Sequence, residues 1–405
     1  MASQKQSRSG IDHSFAGRAG AGRTRRDSPA RDKAPPPDLF VSLLSPADIR
    51  INGDRPWDIR VHHPGLYKRV LRDGSLGLGE GYMEGWWDCD RLDEMFTRLI
   101  GARINDHVPG LARFKLALSA AACRLVNFQA IRRAFTVGEE HYDIGNALYR
   151  KMLDPGMNYS CGYWENAETL GQAQQDKLDL VCRKLKLEPG MKVLDIGCGW
   201  GGLAAYAAEQ YGVKVTGITV SREQKKLADE RVRGLPATIE LADYRCLTGR
   251  YDRIVSVGMF EHVGAKNYRR FFRKAAELLG DEGIFLLHTI GNEETSAAPD
   301  PFINRYIFPN GKIPSRKKIN DASLDLWRLE DWHNFGPDYD RTLMAWDANV
   351  RRAWPELGEG YDRRFQRMWH YYLNCCAGFF RSRQGQLWQL VFTKPCCLRK
   401  YHSVR

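Results

Sequence analysis

The sequence predicts an α/β fold: a doubly wound, mostly parallel sheet, preceded by a small N-terminal α+β unit and a disordered N-terminal arm. Three observations carry the prediction. Short apolar runs alternate with helical stretches from residue 138 to residue 290, the pattern of βαβ units with helices on both sheet faces. One of those runs opens into the glycine-rich turn Gly197-Cys198-Gly199-Trp200-Gly201-Gly202. Residues 1–37 are rich in Ser, Gly, Ala and Arg and end on Pro35-Pro36-Pro37, a composition that cannot bury enough apolar surface to fold.

The α+β unit covers residues 38–125. Asp58-Ile59-Arg60-Val61-His62 alternates as a strand, residues 77–87 form a turn-rich aromatic loop, and residues 93–100 and 111–125 carry helical periodicity. Trp86-Trp87 is read as core, with a membrane interface as the other use of paired amphipathic aromatics. The larger unit covers residues 126–405. There Leu170, Ala173, Lys177, Val181 and Leu185 mark one helix face. Residues 192–196, 213–219, 238–241, 253–257 and 283–290 are the expected strands, and residues 223–233 and 266–279 the helices between them.

Composition narrows the function classes. At 43% hydrophobic residues, disorder throughout is excluded. No run approaches the roughly 20 apolar residues of a bilayer span, and residues 1–10 lack the apolar core of a secretory signal. A soluble, cytosolic chain is expected. Ten cysteines without a CxxC pair read as reduced thiols, with no metal site. Lys and Arg exceed Asp and Glu by 61 − 49 = 12. The arm's eight basic and three acidic residues give 8 − 3 = 5 of that excess. A basic excess points to a polyanionic partner, nucleic acid or anionic membrane.

The run Val193-Leu194-Asp195-Ile196 into Gly197, Gly199, Gly201 and Gly202 is the most informative stretch. Its D-x-G-x-G pattern resembles motif I of the class I methyltransferases, which implies a Rossmann-like sheet and S-adenosylmethionine as cosubstrate. The absence of GK[ST] argues against a phosphate cradle. Thr219-Val220-Ser221-Arg222-Glu223-Gln224 ends the second strand. Ser221 and Gln224 satisfy a capping box there, while Gln224 is also a candidate ribose ligand in place of the usual acid. Asp243-Tyr244 follows the third strand, where methyltransferases contact adenine. Glu261, after the fourth strand, and His288, in the fifth, are expected at one carboxyl edge of the sheet. Core packing for His288 and helix capping for Glu261 are the structural alternatives.

Eight stretches occur together and in order: His141-Tyr142-Asp143-Ile144-Gly145-Asn146, Tyr159-Ser160-Cys161, and residues 194–202, 258–264, 286–291, 306–311, 330–336 and 371–378. In these the chain resembles the cyclopropane fatty acid synthases, from about Asp38 to Lys394. The resemblance implies transfer of a methylene from S-adenosylmethionine to the cis double bond of an unsaturated phospholipid acyl chain, with bound bicarbonate as proton acceptor. It implies a bicarbonate pocket of Cys161, Glu261, His288 and Tyr339, with Cys376 lining the site. For the cosubstrate it implies contacts from Tyr159, Ser160, Leu194, Asp195, Gly197, Cys198, Gly199, Gly201, Gly202, Thr219, Val220, Ser221, Gln224, Asp243 and Tyr244. A homodimer, peripheral on the inner face of the membrane, is implied as well. A methyl-branched product is the alternative outcome. Nucleic acid is set aside: no stacking or base-flipping motif is present, and Asp154-Pro155-Gly156-Met157 is not the Asn/Asp-Pro-Pro-Tyr/Phe signature of amino-group methylation.

Overall fold

The computed structural model describes residues 35–104, 145–293, 299–358 and 360–405. The arm (residues 1–34), the helix at residues 111–125, the unit boundary at residue 125 and the stretch 141–144 lie outside the described residues.

All five predicted apolar runs are strands, because each is long enough to cross a buried sheet and is closed by turn residues. In chain order the strands are β1 (Arg60–Val61), β2 (Trp87–Asp88), β3 (Lys192–Ile196), β4 (Lys214–Thr219), β5 (Ala237–Leu241), β6 (Tyr251–Val257), β7 (Leu279–Gly291), β8 (Arg328–Asn334) and β9 (Gln386–Thr393). β1 and β2 form a small antiparallel pair. The others make a sheet of order β5-β4-β3-β6-β7-β9-β8. Neighbours are parallel from β5 to β7, while β9 runs antiparallel to both β7 and β8. From β3 the chain winds outward to β4 and β5, then returns beside β3 as β6 and winds the other way. The switch between β3 and β6 opens the crevice in which such sheets bind ligands, beyond the strand carboxyl ends.

Two cores cover the sheet faces. Phe271 and Phe272, from the helix Tyr268–Leu278, pack on Phe285 and Phe392. Val181 of the helix Leu170–Lys184 and Ala204 and Ala207 of the helix Gly202–Tyr211 pack on Val193, Val215 and Leu286. A third core joins the N-terminal residues to the long C-terminal helices Pro337–Ala353 and Arg363–Arg381: Trp87, Met95 and Phe96 share it with Trp346, Trp369 and Tyr371. Residues 37–405 form one compact unit.

The predicted loop at residues 77–87 is corrected: Ser75–Met83 is a helix. Its glycines serve close packing, not turning. A Cβ at Gly77 would lie 2.6 Å from the Arg69 carbonyl, and one at Gly79 would lie 2.2 Å from the Phe302 ring. Trp87 is core, fully buried with its indole N–H donated to the Leu78 carbonyl at 2.9 Å. Half-buried Trp86 stacks on His63 and carries Arg69 over its ring at 4.8 Å.

Candidate active site

The glycine turn after β3 forms one edge of the candidate site. Gly197, Gly199 and Gly201 have φ of 90°, 56° and 79°, a region costly to any residue with a Cβ. In front of Gly199 there is open space within 4 Å, so backbone can meet a ligand directly. Around Gly202 there is none: a Cβ would lie 2.7 Å from both Asn158 Oδ1 and the Gly156 carbonyl. The turn is thereby pressed against the segment that leads into Tyr159 and Ser160.

Asp195 is 2% exposed, and its Oδ2 has no hydrogen-bond partner among the described residues. Burial pushes its carboxyl up to about 7, against the pull of Lys177. Lys177 is itself 1% exposed and donates to Ser160 Oγ at 3.0 Å. Burial lowers its ammonium to about 8, opposed by Asp154, Cys161 and Asp195. The buried face of the helix Leu170–Lys184 therefore contains two lysines, Lys177 and Lys184.

At the end of β4, Ser221 caps the helix Arg222–Arg231 by accepting the Gln224 N–H. The capping box is incomplete, since Gln224 Oε1 instead accepts from Thr219 Oγ1 at 2.8 Å. The reciprocal box occurs at Thr169 and Gln172. Asp243 accepts from the backbone and guanidinium of Arg245, and the Tyr244 ring packs against Phe271. The Leu194 and Cys198 side chains are buried in the two sheet cores and Val220 is half-buried, so at Leu194 and Cys198 it is backbone that faces the turn.

A second cluster forms beyond β6 and β7, whose register pairs Val257 with His288. Glu261 sits in the one-turn helix Phe260–His262 and does not cap the helix Tyr268–Leu278. Its Oε1 accepts the Ile290 N–H of β7 at 2.7 Å, and Oε2 is buried without a partner among the described residues. Burial raises its carboxyl to about 7, opposed by those hydrogen bonds. His288 is 1% exposed; Gln389 Nε2, directly across on β9, approaches its Nδ1 at 3.2 Å. Burial holds the imidazole neutral, with Lys177, Lys184 and His333 pushing the same way. The other ring nitrogen, Nε2, is buried and unpartnered among the described residues.

Tyr339 completes the cluster. Its phenol is raised well above the usual range by burial, with Cys161, Glu261 and Cys376 pushing the same way. Cys161 is fully buried and shares a small apolar core with Phe335 and Leu387, against which Tyr339 packs. Phe335 also meets the His288 ring edge-on. From the helix Arg363–Arg381, Tyr372 shares a hydrogen bond with the Tyr159 hydroxyl at 2.8 Å and Phe380 stacks on Tyr339 at 4.6 Å. Cys376 lies between them at helical spacing, its thiol pushed up to about 12 by burial. Tyr159, Tyr372, Phe308 and Trp346 surround this region with aromatic faces.

Comparison with known proteins gives the same direction. Residues 129–390 match the family model of mycolic acid cyclopropane synthetase. The chain belongs to that family. The Escherichia coli (strain K12) cyclopropane-fatty-acyl-phospholipid synthase is 56% identical over 352 residues, covering 87% of this chain and 92% of that one. Among solved members of the family, the Mycobacterium tuberculosis cyclopropane synthase MmaA2 is 32% identical and superposes with a TM-score of 0.61, covering 64% of this chain and 98% of that one. Mycolic acid cyclopropane synthase CmaA1, solved with SAH and CTAB, is 33% identical at the same TM-score and coverage. Coclaurine N-methyltransferase, 22% identical with a TM-score of 0.64 over 78% of this chain and 99% of that one, shares the fold. The fold is that of the class I methyltransferases, and the chain is a methyltransferase of the cyclopropane-synthase family.

Sequence reasoning missed two residues of this candidate site. Lys177 was counted only as part of a helix stripe, although a lysine inside an apolar stripe is itself a sign of a buried charge. Gln389, which meets His288 Nδ1, lies 101 residues away in sequence and carries no local sign.

Proposed function

We propose that this chain is a cyclopropane-fatty-acyl-phospholipid synthase, adding a methylene from S-adenosylmethionine across the cis double bond of an unsaturated phospholipid acyl chain. One observation carries the mechanism: Glu261, just after β6, and His288, on its parallel neighbour β7, each bury a polar atom without a partner among the described residues.

The residues present fit both the cosubstrate and a small anion. Open backbone at Gly199 and the unpartnered Asp195 oxygen suit the amino-acid part of S-adenosylmethionine. The neutral His288 Nε2–H, the Tyr339 hydroxyl and a protonated Glu261 form three neutral donors, the set that a buried anion needs in place of water. Bicarbonate, when bound there, supplies the base for the proton released in ring closure. An alkene is a weak nucleophile, so the protein must hold it in line with the sulfonium methyl in a dry pocket. Its π electrons attack the methyl carbon, the carbon–sulfur bond breaks, and S-adenosylhomocysteine leaves. The resulting carbocation is favoured by the aromatic faces of Tyr159, Phe308 and Tyr372. A C–H bond of the new methyl then breaks, and its electron pair closes the ring.

The enzyme works as a peripheral homodimer on the cytosolic membrane surface in this reading. Its basic excess and the exposed Leu39, Val41 and Leu71 of the N-terminal residues support membrane docking. Vesicles containing unsaturated phospholipid, incubated with enzyme and S-adenosylmethionine, should gain one CH₂ per acyl chain by mass spectrometry. Upfield ring protons in the product NMR separate cyclopropane from a methyl-branched chain. Cosubstrate turnover without CH₂ gain would sink the proposal.

A further inference from the structure

We infer that Lys177 is a positioning residue for the cosubstrate, polarising Ser160 so that the pair Ser160 and Asp195 recognises a zwitterionic α-amino-acid head. The inference rests on the S-adenosylmethionine reading above and assigns a role to a residue outside the motifs that carried it.

Hydrogen-bond polarity is the first step. An ammonium only donates, so the Lys177–Ser160 contact at 3.0 Å makes Ser160 Oγ the acceptor. The Ser160 hydroxyl hydrogen then points away from Lys177 and is left for another acceptor. A neighbouring cation also strengthens that O–H as a donor. Ser160 therefore offers a strengthened donor to an anionic group.

The second step is the matching acceptor. Asp195 Oδ2 is buried and unpartnered among the described residues at the end of β3, and Lys177 is the one charged group coupled to it. A carboxylate that lacks a partner in a buried site suits an incoming ammonium. A donor backed by a cation, and an unpartnered carboxylate on which the same cation acts, are complementary to a carboxylate and an ammonium on one carbon.

The third step is rigidity. One turn before Lys177, Gln174 Nε2 donates to the Ser160 carbonyl at 2.7 Å. The helix Leu170–Lys184 thus grips Ser160 at both backbone and side chain. Lys177 is fixed in place by the same helix turn, so its charge cannot swing away when the crevice fills.

The test compares two probes by calorimetry: S-adenosylhomocysteine, which has the amino-acid head, and 5′-methylthioadenosine, which keeps the nucleoside and sulfur without it. Lys177→Met should weaken S-adenosylhomocysteine about tenfold or more, roughly 1.4 kcal/mol, and leave methylthioadenosine within about twofold, well below one hydrogen bond's worth. Ser160→Ala should reproduce this selective loss, and the double variant should lose little more, because both act through one hydroxyl. If Lys177→Met does not fold, Lys177→Gln, neutral but still a donor, carries the same comparison. Unchanged S-adenosylhomocysteine affinity, or equal weakening of both probes, would overturn the inference. Failure of the wild-type chain to bind either probe would instead overturn the cosubstrate reading.

Discussion

At the scale of single residues, Glu261 is the group whose chemistry and electrostatics can be tested apart. Glu261→Gln keeps an oxygen for the Ile290 N–H and an N–H for the anion, but it cannot exchange a proton with that anion. Turnover should fall about a hundredfold or more, the usual worth of a proton-transfer group. S-adenosylhomocysteine affinity, measured by calorimetry, should stay nearly constant; its loss would move Glu261 into the cosubstrate site. The same variant has a stability signature. The folded carboxyl is raised from 4.5 to about 7, so the folded state binds a proton that the unfolded state has released. Its contribution is present below pH 4.5 and is lost as pH rises through about 7. Gln cannot titrate, so the variant should gain on the wild type across that window, by about 3 kcal/mol at most. Urea unfolding at pH 5 and pH 7.5 measures the gain, and an equal difference at both values would contradict a raised carboxyl. Glu261 and His288 were legible in the sequence because polar residues at strand ends interrupt apolar runs. Their partners were not: the Ile290 N–H and Gln389 reach them through strand register, which no local pattern encodes.

At the scale of elements, the sheet was legible and the N-terminal helix was not. β3 to β7 announced themselves as apolar runs with turn residues at each end. The helix Ser75–Met83 was hidden because alternate glycines at 77, 79 and 81 imitate a loop. Their purpose appears only in three dimensions, where Phe302 and the Arg69 backbone fill the space a Cβ would need. Phe302 is 1% exposed and packs on Tyr371 at 4.5 Å, so its ring has little room to yield. Gly79→Ala should therefore destabilise the protein by about 1–3 kcal/mol through overpacking. It should also slow turnover, because the helix Pro301–Tyr306 that carries Phe302 leads directly into Phe308 beside Tyr159. Thermal unfolding and steady-state rates check both effects. A variant that melts and turns over like the wild type would show that Phe302 shifts freely. β9 was also missed, since a strand that reverses direction after two long helices breaks the βα alternation on which the reading relied.

At the scale of the whole molecule, charge and fold address different questions. The fold accounts for the cosubstrate crevice, yet none of its described helices is long and apolar enough to cross a membrane. In the proposed reading a phospholipid substrate is met at the bilayer surface, where the excess of 12 basic residues is the term that acts at a distance. Each basic residue near an anionic surface contributes about 1 kcal/mol, an attraction that decays within a Debye length of roughly 8 Å at physiological salt. The arm's 37 residues hold 5 of that excess, leaving 12 − 5 = 7 across the rest of the chain. Removing residues 1–34 should thus weaken sedimentation with anionic vesicles and flatten its salt dependence. Turnover of phospholipid presented in neutral detergent micelles should be unchanged, because no candidate site residue lies in the arm. Equal loss on neutral micelles would assign the arm to catalysis instead of docking. Undiminished vesicle binding would place the docking charge in the remaining 7, on the folded chain itself.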